Sequence, residues 1–258
     1  MDWKKESEMF NQMADYYNEY RPNYPSEIID TIVKRANLSA GSKLLKIGSC
    51  SGKATAQFAD FEFNMLCIDP GADLVKKGNE RFKGKNISFV VSRFEDYNAP
   101  LEYFDAIISA QAFHWIPKPA GYEKCARTLK NGAYLAPFWN IEMIKDTDFD
   151  KALLEIMYKY NAFTSSIPEV DYNKRMESIS NEIAQSGFFS HLEVFHSHWE
   201  KDYSAAEYFG FVSTGNVFVQ NTDEIKKACY EELNQLAARY NGIIKRHYIC
   251  ELYVAKKL

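Results

Sequence analysis

The sequence predicts an α/β fold in which helices cover both faces of a parallel sheet. Two observations predict it. First, predicted strands and helices alternate from residue 43 to residue 138, the pattern of a parallel sheet with crossover helices. Second, the apolar residues 44–47 run into the glycine-spaced turn Gly48-Ser49-Cys50-Ser51-Gly52, after which residues 53–60 have a helical pattern. In such a sheet, a strand, a glycine turn and a helix form a cradle for a nucleotide-like ligand.

The other elements follow from periodicity and turn signals. Two prolines, Pro22 and Pro25, end a helical segment over 5–20, and Ser26 is the predicted N-cap of the next helix. Lys130-Asn131-Gly132 is read as the stop signal of a helix over 120–129. The predicted strands are 43–47, 64–68, 87–91, 104–109, 133–138, 192–198 and 243–256, and the remaining predicted helices are 26–37, 72–82, 204–213 and 222–240.

Composition excludes several classes of protein. The chain has 258 residues, 46% hydrophobic and 26% charged, which is typical of a globular protein with one domain. Its net charge of −4 provides no field that would attract nucleic acid. Five cysteines without a CxxC pair favour reduced thiols, and no apolar run approaches the ~20 residues that span a bilayer. We therefore expect a cytoplasmic protein without a membrane segment or a metal site.

An acidic residue, Asp69, follows the apolar run 64–68 and lies seventeen residues after Gly52. A carboxylate at that strand end is suited to the hydroxyls of a ribose. The turn lacks the Gly-x-Gly-x-x-Gly spacing of nicotinamide-binding proteins, because Cys50 and Lys53 occupy two of its glycine positions. A nicotinamide oxidoreductase is therefore the weakest of the readings.

Several separated segments together resemble the class I S-adenosylmethionine-dependent methyltransferases, in particular the small-molecule methyltransferase type 11 group. The segments that carry the resemblance are 17–22, 46–52, Asp69, 92–96, 104–115, 127–133 and 138–140. The resemblance implies a Rossmann-like, doubly wound sheet of seven strands, mostly parallel, with the final strand antiparallel. It implies a single domain over 1–258, whose lid and substrate elements are 1–37 and 146–190.

The resemblance also implies the cofactor contacts. The backbone from Gly48 to Gly52, including Ser49 and Cys50, would pack against the methionine part of S-adenosylmethionine, and Asp69 would bind its ribose. Lys46 and Pro70 are also implied to contact the cofactor. The remaining implied contacts are Phe94 and Glu95 beside the adenine, Ala110 and Gln111 beneath the sulfonium, and Arg21 or Tyr17 at the carboxylate.

The methyl acceptor is expected to be a small molecule that lies at the end of the fourth strand. His114 is the candidate general base, and the alternative is a histidine that only shapes the pocket. Trp115, Trp139 and Asn140 are candidate walls of the acceptor site, with core packing as the alternative for each. The expected product is S-adenosylhomocysteine, and the chain is expected to be a monomer or a homodimer.

Two residues depart from the family pattern. Lys46 replaces an acid, and two like charges ~5 Å apart at an effective dielectric constant of ~20 repel by roughly 3 kcal/mol. We therefore expect Lys46 to weaken binding of the cationic cofactor by ~10–100-fold. Cys50 replaces a glycine that allows close approach of the ligand. These departures are the basis of an alternative function, a non-catalytic protein that binds S-adenosylmethionine or S-adenosylhomocysteine in an altered pocket.

Overall fold

The computed structural model describes residues 14–163, 172–215 and 217–258. Its strands are β1 Lys43–Ile47, β2 Asn64–Asp69, β3 Ile87–Val91, β4 Phe104–Ala110, β5 Leu129–Met143, β6 Phe189–Tyr203 and β7 Ile244–Lys257. Its α-helices are α1 Ala14–Tyr20, α2 Ser26–Arg35, α3 Lys53–Ala56, α4 Ala72–Arg81, α5 Ala120–Thr128, α6 Asp148–Tyr160, α7 Tyr172–Gln185, α8 Ala205–Val212 and α9 Asp223–Arg239. None of these described helices is long and apolar enough to cross a membrane.

The seven strands form one sheet in the order β3-β2-β1-β4-β5-β7-β6. The pairs β1–β2, β1–β4, β2–β3 and β4–β5 are parallel. Strand order reverses at β1, and ligands of such sheets bind outside the carboxyl ends of the strands at this kind of reversal. The loops that follow β1, β2, β4 and β5 therefore begin at the edge of the sheet where a site is expected.

Contacts at both ends of β7 show that it runs antiparallel to β5. Lys257 Nζ, at the end of β7, donates to the Leu129 carbonyl at the start of β5 over 2.8 Å. Arg246 Nη2, near the start of β7, donates to the Met143 carbonyl at the end of β5 over 3.1 Å. The predicted fold class, a mostly parallel seven-stranded sheet with an antiparallel final strand, is confirmed.

The chain divides into two compact units, each with its own core. Unit 2 holds residues 23–140, 171–197 and 250–258, and it buries Leu45, Ile107 and Leu135 completely. Unit 1 holds residues 1–22, 141–170 and 198–249, and its core includes Leu153, Val212 and Leu233.

The predicted lid ranges, 1–37 and 146–190, do not coincide with the unit boundaries, and the description of the chain as one domain with a lid stays a prediction. Parts of that lid, residues 1–13 and 164–171, lie outside the described residues.

Three local predictions are wrong. The strand predicted over 133–138 begins earlier, at Leu129, directly after α5, although the end of α5 at Thr128 agrees with the stop signal Lys130-Asn131-Gly132. Pairing of β5 with β4 jumps from Leu129 to Tyr134, so that the intervening residues form a bulge.

The other two errors concern helix ends. Ser26 is the first residue of α2 rather than its N-cap; the cap is Pro25, which has no side-chain hydrogen bond. Helix α3 ends at Ala56, before the predicted end at residue 60.

Candidate functional site

The turn after β1 adopts left-handed backbone conformations at three alternate residues. The φ angles of Gly48, Cys50 and Gly52 are 62°, 51° and 90°. A Cβ atom at Gly48 would lie 2.3 Å from the Ala112 Cβ, so only glycine allows the turns after β1 and β4 to approach this closely. Cys50 is the one non-glycine residue of the three, and its conformation costs about 1–2 kcal/mol for an L-residue. A contact that holds the turn in place offsets this cost.

Asp69, at the end of β2, supplies that contact. Its Oδ2 accepts the Cys50 backbone N–H over 2.7 Å, and its Oδ1 accepts the Gly71 backbone N–H over 2.9 Å. Gly71 is the N-cap of α4, so Asp69 lies two residues before the cap position. Burial raises the pKa of Asp69, although both amides and Lys46 act to lower it. Each carboxylate oxygen keeps a second lone pair for a ligand.

The two hydrogen bonds that Asp69 accepts from Cys50 and Gly71 form a clamp on the glycine turn. Lys46 lies next to this clamp and is only 1% exposed. It pairs with Cys67 of β2 and Ile108 of β4, in the middle of the sheet. Among the described residues its one hydrogen bond is a long one, 3.4 Å from Nζ to the Gly48 carbonyl, and no carboxylate forms an ion pair with it. Burial lowers the pKa of Lys46 from 10.5 to about 8. The predicted departure from the family pattern is thus a buried ammonium group with donors to spare.

The side chains of Cys50 and Ser51 in the turn, and of Cys67 in the neighbouring β2, carry no charge at neutral pH. Burial raises the pKa of the thiols of Cys50 and Cys67 to about 12, so both are protonated at neutral pH and neither is a reactive thiolate. The hydroxyl oxygen of Ser51 is buried and has no hydrogen-bond partner within the described part of the chain. A buried polar atom without a partner indicates a site that a ligand completes.

At the ends of β4 and β5, the predicted site residues bond to the backbone. Gln111, whose φ is 57°, donates from Nε2 to the Asn140 carbonyl over 2.7 Å. Asn140 donates from Nδ2 to the Asn23 carbonyl over 3.0 Å. Ala110 is buried beside them. Gln111 thus links the turn after β4 to β5, and Asn140 links β5 to the segment that precedes α2.

His114 and Trp139 form a side-chain hydrogen bond. Trp139 Nε1 lies 3.2 Å from His114 Nδ1. An indole N–H can only donate, so His114 Nδ1 accepts and the proton of the neutral ring is on Nε2. Burial, with the positive charges of Arg175 and Lys118, lowers the pKa of His114 to about 4. At neutral pH His114 is therefore a hydrogen-bond donor through Nε2 and has no basic nitrogen available.

Sequence reasoning missed three residues that adjoin this pair. The Arg175 guanidinium lies 5.3 Å from the centre of the Trp139 ring, and Arg175 Nε lies 3.4 Å from Glu251 Oε2. Tyr253 donates to the same oxygen over 3.3 Å and meets Trp139 edge to face. Glu251 Oε1 is buried without a partner in the part of the chain described. Arg175 and Glu251 are 76 residues apart, and no local pattern of the sequence relates them.

Four further predicted site residues lie in unit 2. Phe94 is buried, with Lys124 Nζ 5.3 Å from its ring centre. Glu95 pairs with Arg93 over 2.9 Å. Pro70 is exposed, and Trp115 is 44% exposed beside His114. Their contacts with a cofactor or acceptor stay predictions.

Tyr17 and Arg21 belong to unit 1. Arg21 Nε donates to Thr214 Oγ1 over 2.7 Å, and its guanidinium lies 5.2 Å from the ring centres of both Tyr17 and Phe211. Their predicted contact with the cofactor carboxylate also stays a prediction. The structure thus brings Lys46, Cys50 and Asp69 together at one strand edge, and it places His114 against Trp139.

Comparisons with known sequences agree with this geometry. The profile of the methyltransferase domain family matches residues 45–136, from β1 into β5. A protein of Saccharomyces cerevisiae, CRG1, provisionally named an S-adenosylmethionine-dependent methyltransferase, is 31% identical over 155 residues, which are 58% of this chain and 52% of that protein. An uncharacterized methyltransferase of Mycobacterium tuberculosis, Rv3342, is 25% identical over 51% of each chain. The chain spans about half the length of these curated relatives.

Solved structures share the fold over nearly the whole chain. A protein of Anaeromyxobacter dehalogenans, provisionally named a type II methyltransferase, superposes with a TM-score of 0.66 at 18% identity, over 92% of this chain and 98% of that one. Phosphoethanolamine N-methyltransferase 2 of Haemonchus contortus, solved with S-adenosyl-L-methionine, superposes with a TM-score of 0.57 at 15% identity, over 96% of this chain and 57% of that one.

The match over 45–136 covers β1 with its glycine turn, β2 with Asp69, and β4 with the turn that leads to His114. These are the segments that first carried the resemblance and that the fold brings to one edge of the sheet. The comparisons therefore support a class I S-adenosylmethionine-dependent methyltransferase domain over residues 45–136.

Proposed function

We propose that this protein transfers a methyl group from S-adenosylmethionine to a small-molecule acceptor. The observation that carries the proposal is the clamp of the glycine turn on Asp69, over 2.7 Å, at the strand edge where ligands of this fold bind. It places a buried carboxylate beside a turn whose backbone is left-handed at Gly48, Cys50 and Gly52. The S-adenosylmethionine bound by the Haemonchus contortus enzyme, which shares the fold, supports this choice of cofactor.

The polar groups of the site fit an adenosyl ligand. Asp69 has lone pairs for the ribose hydroxyls, while the unpartnered Ser51 hydroxyl and the Lys46 ammonium offer donors to the carboxylate of the methionine part. Phe94 and Glu95 remain the proposed neighbours of the adenine, and Pro70 remains a proposed contact of the cofactor. When bound, S-adenosylmethionine supplies an electrophilic methyl group on a sulfonium, which is a good leaving group.

The role of the protein in such a reaction is to position the acceptor and to exclude water. His114 suits the first task, because its Nε2–H is fixed in direction by the bond from Trp139 to Nδ1. We propose that His114 donates to an oxygen or nitrogen of the acceptor, with Trp115 beside it. To act as a general base through Nδ1, His114 would have to lose the hydrogen bond that Trp139 Nε1 donates to that atom. The nucleophile therefore loses its proton to solvent or carries none.

A small acceptor agrees with the charge of the chain and with one structural neighbour. The net charge of −4 does not favour nucleic acid. A second structure of the Haemonchus contortus enzyme, with a TM-score of 0.56, holds phosphomonomethylethanolamine and S-adenosylhomocysteine. That ligand is a small molecule, and we propose an acceptor of similar size here.

Calorimetric titration of the wild type and of Asp69→Asn with S-adenosylhomocysteine tests cofactor binding. We expect micromolar binding by the wild type and a loss of about tenfold to a hundredfold in Asp69→Asn, because hydrogen bonds to a charged group contribute about 1.5–3 kcal/mol. Asp73→Asn is the matched control: Asp73 is exposed in the first turn of α4, and its replacement removes the same charge outside the site. We expect the control to bind like the wild type.

Incubation with S-adenosylmethionine and a panel of small acceptors then tests transfer, with S-adenosylhomocysteine formation as the readout. A folded wild type that binds neither adenosyl ligand would overturn the proposed function. Binding that persists in Asp69→Asn would instead overturn the assignment of Asp69. Binding without transfer to any acceptor would favour the non-catalytic alternative.

A further inference from the structure

Lys46 combines burial with incomplete hydrogen bonding in a way that a purely structural lysine does not. It is 1% exposed, and within the described ranges its three N–H donors have one acceptor, the Gly48 carbonyl at 3.4 Å. A buried ammonium without partners is costly, and proteins normally pair it or leave it out of the core. Here the group lies under the turn on which the proposed cofactor would rest.

The groups that face Lys46 leave its charge largely uncompensated. Cys67 on β2 and Cys50 in the turn are thiols that remain protonated at neutral pH. Ile108, its neighbour on β4, is apolar. Asp69 is the one acid among the facing groups, and both of its oxygens already accept backbone N–H groups, without an ion pair to Lys46.

We propose that Lys46 makes this site selective for the charge on the ligand sulfur, so that it disfavours the cationic sulfonium of S-adenosylmethionine relative to the neutral thioether of S-adenosylhomocysteine. The proposal rests on the proposed function, since it concerns the same site. Both ligands carry the same adenosine, carboxylate and amino groups, so they differ only in the methyl group and the charge that it creates. An ammonium in a buried site repels that charge more strongly than it would in water.

The selectivity depends on pH. Lys46 is charged below a pKa of about 8 and neutral above it, while the two thiols titrate only at about 12. Raising the pH therefore removes the charge of Lys46 and favours binding of the sulfonium. The sulfonium lowers the pKa of the amino group in S-adenosylmethionine relative to S-adenosylhomocysteine, so the ligands also contribute to the pH dependence of the ratio. This contribution is the same for the wild type and a variant without Lys46, and it cancels when the two proteins are compared.

The test is calorimetric measurement of both dissociation constants, from about pH 6.5 to about pH 9, for the wild type and Lys46→Met. In the wild type we expect the ratio of the S-adenosylmethionine constant to the S-adenosylhomocysteine constant to fall by about tenfold over this range. In Lys46→Met we expect a lower ratio at neutral pH, which changes with pH only as far as the titration of the ligands changes it, so that the wild type and the variant converge as the pH rises. Lys46→Glu should lower the ratio further.

Lys43→Met is the matched control. Lys43 lies at the other end of the same strand, with Nζ 4.0 Å from the centre of the Tyr103 ring, and its replacement removes one positive charge from β1. We expect this variant to keep the ratio and the pH dependence of the wild type.

A ratio that is the same in the wild type and in Lys46→Met at every pH would overturn the proposal. A folded wild type that binds neither ligand would overturn the proposed function instead, so the two failures are distinct. A methionine variant that does not fold leaves Lys46→Glu, for which an unchanged ratio would also overturn the proposal.

Discussion

Two buried cations, Arg246 in unit 1 and Lys46 in unit 2, have opposite environments. Arg246 is 0% exposed and pairs with Glu142 and with Asp150, the latter over 2.5 Å. Lys46 is 1% exposed and has one long hydrogen bond to a carbonyl. Burial alone would lower the pKa of both, but the carboxylates, with Tyr208, raise the pKa of Arg246, whereas that of Lys46 falls to about 8.

The buried charge of Arg246 is compensated by two carboxylates, whereas the buried charge of Lys46 has no carboxylate partner among the described residues. The partners of Arg246 all come from its own chain, so its network contributes to the stability of unit 1. Among the described residues, the only hydrogen-bond acceptor for Lys46 Nζ is the Gly48 carbonyl, at 3.4 Å. A buried charge with such an environment is characteristic of a functional site.

The largest effect is expected from a substitution that breaks the network of Arg246 with Glu142 and Asp150. Arg246→Met leaves Glu142 and Asp150 without their cation, and we expect the free energy of unfolding to fall by about 3–5 kcal/mol. Urea unfolding followed by circular dichroism measures this change. Arg35→Met is the control, because Arg35 pairs with Glu193 at the surface, with 46% and 44% of the two side chains exposed. The control should change stability by less than about 1 kcal/mol. Equal losses in the two variants would remove the distinction on which the comparison depends.

Replacing Lys46 is expected to raise the free energy of unfolding, whereas replacing Arg246 lowers it. Its pKa is about 8 in the folded protein and 10.5 as its ordinary value, so the unfolded chain binds more protons between these limits. The destabilisation is complete below about pH 8 and fades as the pH rises toward about 10.5. At neutral pH Lys46→Met should therefore raise the free energy of unfolding, by about 1–3 kcal/mol.

Urea unfolding of both proteins at neutral pH and at about pH 9.5 measures this effect. The difference between wild type and Lys46→Met should shrink at the higher pH. A methionine variant that is less stable than the wild type at neutral pH would mean that Lys46 has partners that compensate its charge.

The smallest expected effect concerns a neutral buried group, His114. The Trp139 N–H stabilises the uncharged ring, while Arg175 and Lys118 oppose its protonation. Trp139→Phe removes the donor and keeps an aromatic ring, so the pKa of His114 should rise from about 4 toward its ordinary 6.5. Titration of the histidine ring protons by NMR, assigned with His114→Gln, reports this pKa. An unchanged value would show that the hydrogen bond does not set the protonation state.

The sequence allowed prediction of the features that depend on local pattern. Strands such as β2 and β4 follow from apolar runs, and Asp69 was placed at a strand end because the run 64–68 ends there. The alternation of elements then predicted the parallel sheet and the edge at which Gly48 and Asp69 meet. Each of these inferences needs only neighbouring residues and the geometry of a parallel sheet.

What depended on tertiary contacts was not predictable. The strand predicted over 133–138 extends from Leu129 to Met143, and its register with β4 jumps from Leu129 to Tyr134 across the turn signal at 130–132. The bond from Trp139 to His114 joins residues 25 positions apart, and it is the observation behind our proposal that His114 acts as a donor. The sequence placed Lys46 in a strand, but only the structure shows that no carboxylate among the described residues pairs with it.

The central claim is that Lys46 and Asp69 flank one adenosyl-binding site, and a crystal structure with S-adenosylhomocysteine tests it most directly. We expect the ligand to lie along the turn from Gly48 to Gly52, with its ribose hydroxyls on the Asp69 carboxylate and Lys46 Nζ within reach of its methionine part. A ligand bound elsewhere, with Asp69 still bonded only to the Cys50 and Gly71 amides, would contradict the account.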